Sequence, residues 1–301
     1  MNIMITGARG LLGNELSSIL KNKKCEAGTL EFPRQYKLFC PSKAELDITR
    51  AEKVQGFIID HQIDLVINCA ANTNVDKCEE NPAQAFSVNT EGVENLARSC
   101  ARAGARLVHI STDYVFSGLK TGEYLETDIC DPINIYGVSK RQGEEAVLKY
   151  CLNSVIIRSS WLYGMTSRSF MKAIVELSVS QNVISVVDDQ YGRPTSAMEL
   201  SYFILLLAFS SHTGIYHCTC GGKPVTWYEY ALLIVSQAKL DVEIRVCSTD
   251  TFPRSARRPE NSCLDCTKLI CAVGRKPRNW KDVACAFIRD HDMLKEWKVQ
   301  K

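Results

Sequence analysis

A tyrosine and a lysine four residues apart, Tyr136 and Lys140, open a stretch of helical spacing that follows Pro132. On a helix that separation puts both side chains on one face. An ammonium beside a phenol favours the phenolate and lowers its pKa. Tyr136 so placed is a workable general acid for a carbonyl oxygen that receives a hydride. More hydroxyls stand in Ser111-Thr112-Asp113-Tyr114, directly after a strand-like run. Thr112, or Ser111, can donate a hydrogen bond to the same oxygen. A Tyr-x-x-x-Lys spacing is common by accident, and it gains meaning only if the chain also carries a cofactor site.

Such a site stands at the start of the chain. Gly7-x-x-Gly10-x-x-Gly13 follows a strand-like run and opens a helical one. Glycines allow a tight turn and close approach of backbone to a pyrophosphate, and the helix start offers free N–H groups to the anion. The order strand, glycine turn, helix predicts a bound dinucleotide, although the spacing differs from the commoner G-x-G-x-x-G. An NAD-selective fold ends its second strand on an acidic residue that binds the adenosine ribose. Here that region reads Leu38-Phe39-Cys40-Pro41-Ser42-Lys43, without a carboxylate. Lys43, and Arg9 in the glycine loop, are cations suited to a 2′-phosphate, so NADPH is expected to serve at least as well as NADH. Asp47-Ile48 is placed to flank the adenine. Ala70-Ala71-Asn72, after the third strand, either meets the cofactor or packs helix against strand.

The elements that must position these groups alternate along the first half. Strand-like runs at Asn2–Thr6, Tyr36–Cys40, Leu65–Cys69, Arg106–Ser111 and Ser154–Arg158 are separated by helix-like runs at Leu11–Leu20, Val54–His61, Pro82–Arg102 and Asp131–Tyr150. This rhythm predicts an α/β fold, a Rossmann-like doubly wound parallel sheet with helices on both faces. Lys24–Gln35 breaks the rhythm and reads as a loop excursion. After Gly164 the pattern loosens, with helices expected at Phe170–Ser180, Glu199–Phe209 and Trp227–Ala238, strands at Val183–Val187 and Gly214–Cys218, and a loop-rich stretch from Thr251 to Asn279. Residues 1–163 are expected to form the NAD(P)-binding domain with the catalytic residues. Residues 164–301 are expected to form a smaller substrate-binding lobe, with some chain crossing back.

The chain has 301 residues, 46% apolar and 23% charged, which suits a sizeable core and not a disordered chain. Lys plus Arg number 36 and Asp plus Glu 34, a net +2 that argues against nucleic-acid binding driven by overall charge. No apolar run approaches the roughly 18 residues of a membrane span. The N-terminus reads as a first strand and not as a signal peptide. The fourteen cysteines therefore read as free thiols in a reducing cytoplasm. Cys218, Cys220, Cys263, Cys266 and Cys271 can be drawn together on paper as a zinc cluster. Cysteine is scattered through other apolar runs as well, and no metal site is expected.

The chain resembles the extended short-chain dehydrogenase/reductase superfamily and, more narrowly, the dTDP-4-dehydrorhamnose reductase family. The matching stretches include Met4–Gly13, Leu46–Thr49, Val66–Ala71, Val75–Glu79 and, most specific, His109–Gly118. Further matches are Tyr136–Lys140 with Gly143-Glu144, Arg158–Gly164, Asp189–Thr195, Ser255–Pro259 and Trp280. The resemblance implies Thr112, Tyr136 and Lys140 as the catalytic trio, with Tyr136 and Lys140 also touching the cofactor. It places Gly7, Gly10, Leu11, Leu12, Gly13, Asp47, Ile48, Ala70, Ala71 and Asn72 around NADPH or NADH. It places Thr112, Asp113, Tyr114, Trp161 and Arg257 near a dTDP-linked 4-keto-6-deoxy sugar. It implies a cytoplasmic enzyme, with a homodimer among the assemblies it allows. The chain departs from the family where Leu11 replaces a usual Gln and where Ser117 replaces a usual Asp before Gly118.

The implied reaction is NAD(P)H-dependent reduction of the C4 keto group of dTDP-4-dehydro-β-L-rhamnose to dTDP-L-rhamnose. Two other readings remain at this stage. One is a reductase or epimerase acting on another nucleotide-linked keto sugar. The other is a non-catalytic dinucleotide-binding subunit similar to the regulatory subunit of methionine adenosyltransferase. The retained trio speaks against the latter.

Overall fold

The computed structural model describes residues 1–252 and 254–297. Its first half alternates as the sequence rhythm predicts: β1 (Asn2–Thr6), α1 (Leu11–Asn22), β2 (Lys37–Phe39), α2 (Ala51–Asp60), β3 (Leu65–Asn68), α3 (Val75–Glu80), α4 (Pro82–Phe86), α5 (Gly92–Ala103), β4 (Arg106–Thr112), α6 (Ile135–Tyr150) and β5 (Ser154–Ser159). There follow β6 (Leu162–Tyr163), α7 (Phe170–Ser180), β7 (Val183–Val187), β8 (Tyr191–Gly192), β9 (Thr195–Ser196), α8 (Ala197–Ala208) and β10 (Gly214–His217). The chain closes with β11 (Val225–Thr226), α9 (Trp227–Ala238), β12 (Glu243–Cys247), α10 (Thr267–Val273), α11 (Trp280–Asp290) and α12 (Met293–Glu296).

Six parallel strands form one sheet in the order β10-β5-β4-β3-β1-β2. Successive residues of a strand face opposite sides, and both sides are apolar here. Ile3, Ile5, Leu65, Ile67, Val108 and Val155 meet α1 and α8 on one face. Met4, Val66, Leu107 and Ile156 meet α2, α5 and α6 on the other. The strand order reverses between β1 and β3, and the loops that leave these two strands touch. A Cβ on Gly7, which has φ +66°, would lie 2.7 Å from the backbone of Cys69 and Ala70. Such a reversal is where doubly wound sheets bind ligands.

The second half of the chain divides its residues between two cores. α8 and β10 return to the large sheet, where β10 pairs with β5 and α8 packs on α1. The helix Ala197–Ala208 is buried on nearly every residue, so it belongs inside a core. The segments around α7, α9, α11 and α12 make a second core with Tyr163, Ile184, Tyr230 and Trp280. Residue 163 is thus no single crossing point. Two helices lie in or beside the stretch expected to be loop-rich, α10 and α11. The expected long helix at Pro82–Arg102 is interrupted by a π-turn at Ser87–Glu91. There Asn89 turns inward and donates to the carbonyl of Asn72 and to Ser139 on α6. α6 begins at Ile135 and not at Asp131, because Asn134 caps it by accepting from the Gly137 N–H at 2.8 Å.

Candidate active site

The carboxyl ends of β1, β3, β4 and β5 open on one groove. One pocket of it, about 440 Å³, is lined by Gly7, Gly10, Leu11, Leu12, Gly13, Ala71, Thr112, Asp113, Tyr114, Tyr136, Lys140 and Trp161. A second, about 740 Å³, shares Gly7 and Gly10 and adds Arg9, Lys43, Asp47, Ile48, Ala70 and Asn72. Arg257 does not reach either. It lines a third pocket with Arg254, Arg258 and Phe252, joined to the first through Tyr114 and Trp227. The residues expected from sequence therefore fall along one continuous groove, with Arg257 at its far end.

The groove fits an anionic dinucleotide at its β1 end. α1 begins at Leu11 behind Gly10, which has no side chain to cap it, so its first N–H groups stay available to an external acceptor. Asp47 is the acidic side chain lining the second pocket, and its carboxylate accepts from the N–H and hydroxyl of Thr49 at 3.0 and 2.9 Å. Those bonds, with the Thr49 N–H foremost, hold its carboxyl below the usual carboxylate range. The cations Arg9, Lys43 and Lys77 line the same pocket.

Thr112 and Tyr136 converge from β4 and α6. The Thr112 hydroxyl donates to Asp113 Oδ1 at 2.9 Å and lies beside the Tyr136 phenol. Tyr114 packs edge-on against Tyr136, ring centres 5.6 Å apart. Burial raises the Tyr136 pKa, and the Thr112 hydroxyl opposes it. The expected lowering by Lys140 is not realised. Lys140 is buried, and its Nζ donates to the Ile110 carbonyl at 2.6 Å and lies 3.5 Å from His109 Nε2. Its Nζ thus bonds β4, while the residue still lines the first pocket. Burial lowers its own pKa to about 8, against a pull from Glu144. Asp113 keeps one carboxylate oxygen without a partner, and burial pushes its pKa up to about 7. Ser159 also keeps an unpartnered hydroxyl at this end of the sheet, and the Ser111 hydroxyl lies beside Glu144.

Trp161 sits at φ +50° with its indole stacked on Trp227, 3.4 Å between centres and 7° from parallel. A Cβ at Gly192 would lie 2.4 Å from that indole, so only glycine leaves room for it. Trp227, His109, Asn68 and the pair Glu144–Arg158 were given no site role from sequence. Glu144 does carry a signal, since it continues the i, i+4 series of Tyr136 and Lys140 along one helical face. Among the described residues no group of three His, Cys, Asp or Glu is placed to hold a metal. Cys266 instead bonds Thr219, and Cys218 and Cys220 are buried as thiols with raised pKa.

A parallel sheet with a glycine turn after its first strand, a hydroxyl at the end of the fourth and a Tyr-x-x-x-Lys helix defines an extended short-chain dehydrogenase/reductase. The family of the RmlD substrate binding domain matches residues 1–293. The chain is 36% identical to dTDP-4-dehydrorhamnose reductase of Aggregatibacter actinomycetemcomitans, over 93% of this chain and 95% of that one. It is 33% identical to dTDP-4-keto-6-deoxy-D-glucose reductase of Streptomyces niveus, over 87% of each. The crystal structure of the Bacillus anthracis dTDP-4-dehydrorhamnose reductase in complex with NADP superimposes with a TM-score of 0.89 at 34% identity, covering 96% of this chain and 99% of that one. The chain belongs to the dTDP-4-dehydrorhamnose reductase family.

Proposed function

We propose that this enzyme uses NADPH or NADH to reduce the C4 keto group of dTDP-4-dehydro-β-L-rhamnose, giving dTDP-L-rhamnose. The observation that carries this is the shared pocket: the glycine turn, the Thr112 hydroxyl and the Tyr136 phenol line one cavity. The uncapped start of α1 receives the pyrophosphate, and Asp47, Ile48 and Ala70 to Asn72 enclose the adenosine half. The bound nicotinamide supplies the hydride. Tyr136, and Thr112 once its proton turns away from Asp113, donate hydrogen bonds to the keto oxygen and so stabilise the charge that develops there. Tyr136 then gives that oxygen its proton. A phenol is protonated at neutral pH, as a proton donor requires. Lys140 orients the nicotinamide ribose from one helical turn away. Asp113 and Tyr114 bind the sugar, Trp161 borders it where it lines the same pocket, and Arg257 meets the nucleotide at the far end of the groove.

Fourteen unpaired thiols suit a cytoplasmic location, and no helix among the described residues is long and apolar enough to cross a membrane. Pairing of two copies is part of the same reading and is checked by sedimentation. The relative from Streptomyces niveus favours a second substrate, the keto sugar not epimerised at C3 and C5. One assay separates the readings. Enzymatically made dTDP-4-keto-6-deoxyglucose is supplied with and without a 3,5-epimerase, with each cofactor in turn. Oxidation of NADPH only when the epimerase is present supports the rhamnose reading. Oxidation without it supports the second. No oxidation in either arm refutes both.

A further inference from the structure

Beneath the reaction site a chain of polar groups runs from β1 to α6. The backbone N–H of Ala70 can only donate, and it faces Asn68 Oδ1 at 3.1 Å. The Thr6 hydroxyl donates to the same oxygen at 2.6 Å. These donors fix the Asn68 amide, whose NH2 therefore faces His109 Nδ1 at 3.0 Å. An amide N–H needs an acceptor, so Nδ1 carries no proton. The neutral imidazole must then carry its proton on Nε2. A doubly protonated ring would oppose the Asn68 amide, and complete burial disfavours it as well. Nε2 lies 3.5 Å from Lys140 Nζ, which already donates to Ile110. A ring N–H aimed at an ammonium sets donor against donor. Aimed at an amine, it meets a lone pair.

We propose that His109, locked as its Nε2–H tautomer by Ala70 and Asn68, is a positioning residue that favours the amine form of Lys140. This rests on the reading of Tyr136 and Lys140 as the reaction site and adds the control of the lysine's proton. The groups around Lys140 come from three elements. Cys69, after β3, is a buried thiol whose pKa is pushed up to about 12, so it brings no charge. His109 comes from β4. Glu144, on α6 itself, favours the ammonium, but its carboxylate is engaged by Arg158 and Arg141. Tyr136, one turn earlier, is neutral. Burial of Nζ acts in the same direction as His109. A lysine poised in this way can take up and release a proton near neutral pH, which a permanent cation cannot.

The experiment has one readout independent of turnover. In the full-length protein labelled with 15N-histidine, the His109 ring should show a bare Nδ1 and a protonated Nε2. A protonated Nδ1 in the wild type overturns the proposal. Asn68→Asp replaces the amide donor with an acceptor and should invert the tautomer, turning a lone pair toward Lys140. The lysine limb in the pH dependence of NADPH affinity should then move up by about one unit. His109→Leu should move it the same way. His109→Gln, whose amide can repeat the acceptor-then-donor order, should stay close to wild type. An unmoved limb in both Asn68→Asp and His109→Leu sinks the idea. The NMR and affinity measurements stand even if the keto sugar is not the substrate, so failure of that reading is seen separately.

Discussion

Arg158 on β5 grips Glu144 on α6 through two contacts, Nε to Oε1 at 2.8 Å and Nη2 to Oε2 at 2.7 Å, with both side chains out of solvent. Arg141 adds a third N–H at 3.0 Å. This pair ties the helix that carries Tyr136 and Lys140 to the sheet that carries Thr112. Glu144→Gln leaves a buried guanidinium without its counter-charge. Loss of one partner of a buried pair costs about 3–5 kcal/mol, and that loss is expected here in urea unfolding. A change below about 1 kcal/mol, the size of a surface pair, would show that the clasp is not what holds the helix.

Two buried carboxyls give stability pH dependences of opposite sign. Burial alone would raise the Glu144 pKa, but the Arg158 bonds hold it below the usual range. Its stabilisation is present above the ordinary carboxylate pKa and fades as pH falls through its lower folded value. Asp113 is raised to about 7 by burial. Its contribution is present below its ordinary pKa and is lost as pH rises through about 7. Asp113→Asn, which never ionises, should therefore gain in Tm relative to wild type between about pH 5 and about pH 8. A difference that stays flat across that range would count against the buried, proton-holding Asp113.

Tyr136→Phe keeps the ring against Tyr114 and removes the proton donor. The rate of keto-sugar reduction should fall by about 10²- to 10⁴-fold with NADPH affinity retained. A variant that turns over near the wild-type rate would show that another group protonates the alkoxide.

Cofactor choice follows from Asp47 and its neighbours. Its carboxylate is occupied by Thr49, while Arg9, Lys43 and Lys77 line the same pocket. The kcat/KM with NADPH should equal or exceed that with NADH, and Lys43→Glu should lower the NADPH value by about tenfold, roughly 1.4 kcal/mol. A wild-type preference for NADH above about tenfold would instead assign the ribose to Asp47.

Asp76 on α3 holds the segment Arg254–Pro259 by a paired contact with Arg258, 2.6 and 2.8 Å, and by accepting from the Ala256 N–H at 3.2 Å. Asn134, the cap of α6, donates to the Arg257 carbonyl at 2.8 Å, and the Tyr114 hydroxyl lies beside Arg258. The segment is thus tied to the helix of Tyr136 at its start. Asp76→Asn should raise KM for the sugar nucleotide by about tenfold while kcat changes less, since the segment lines the third pocket, where the proposed function puts the nucleotide, and not the pocket of the glycine turn. Equal losses in kcat and KM, or neither, would place Asp76 outside substrate positioning.

The sheet, the glycine turn and the tyrosine–lysine pair were legible because each depends on local pattern. Alternating apolar runs specify buried parallel strands, glycine spacing specifies a turn, and four residues on a helix specify a shared face. The same local reasoning put Lys140 beside the phenol without showing what else its Nζ meets. Sequence spacing places Cα atoms, but the sheet decides that Nζ of Lys140 bonds the Ile110 carbonyl and faces His109. Local pattern allowed for some chain crossing back but could not say that β10 and α8 are the elements that return to the first sheet, since an apolar helix carries no mark of which core it fills. Arg158 and Glu144 stand 14 residues apart, and Asp76 and Arg258 stand 182 apart. Both charge pairs exist only because folding removes competing water and brings distant elements together, and that closure is a property of the tertiary structure alone.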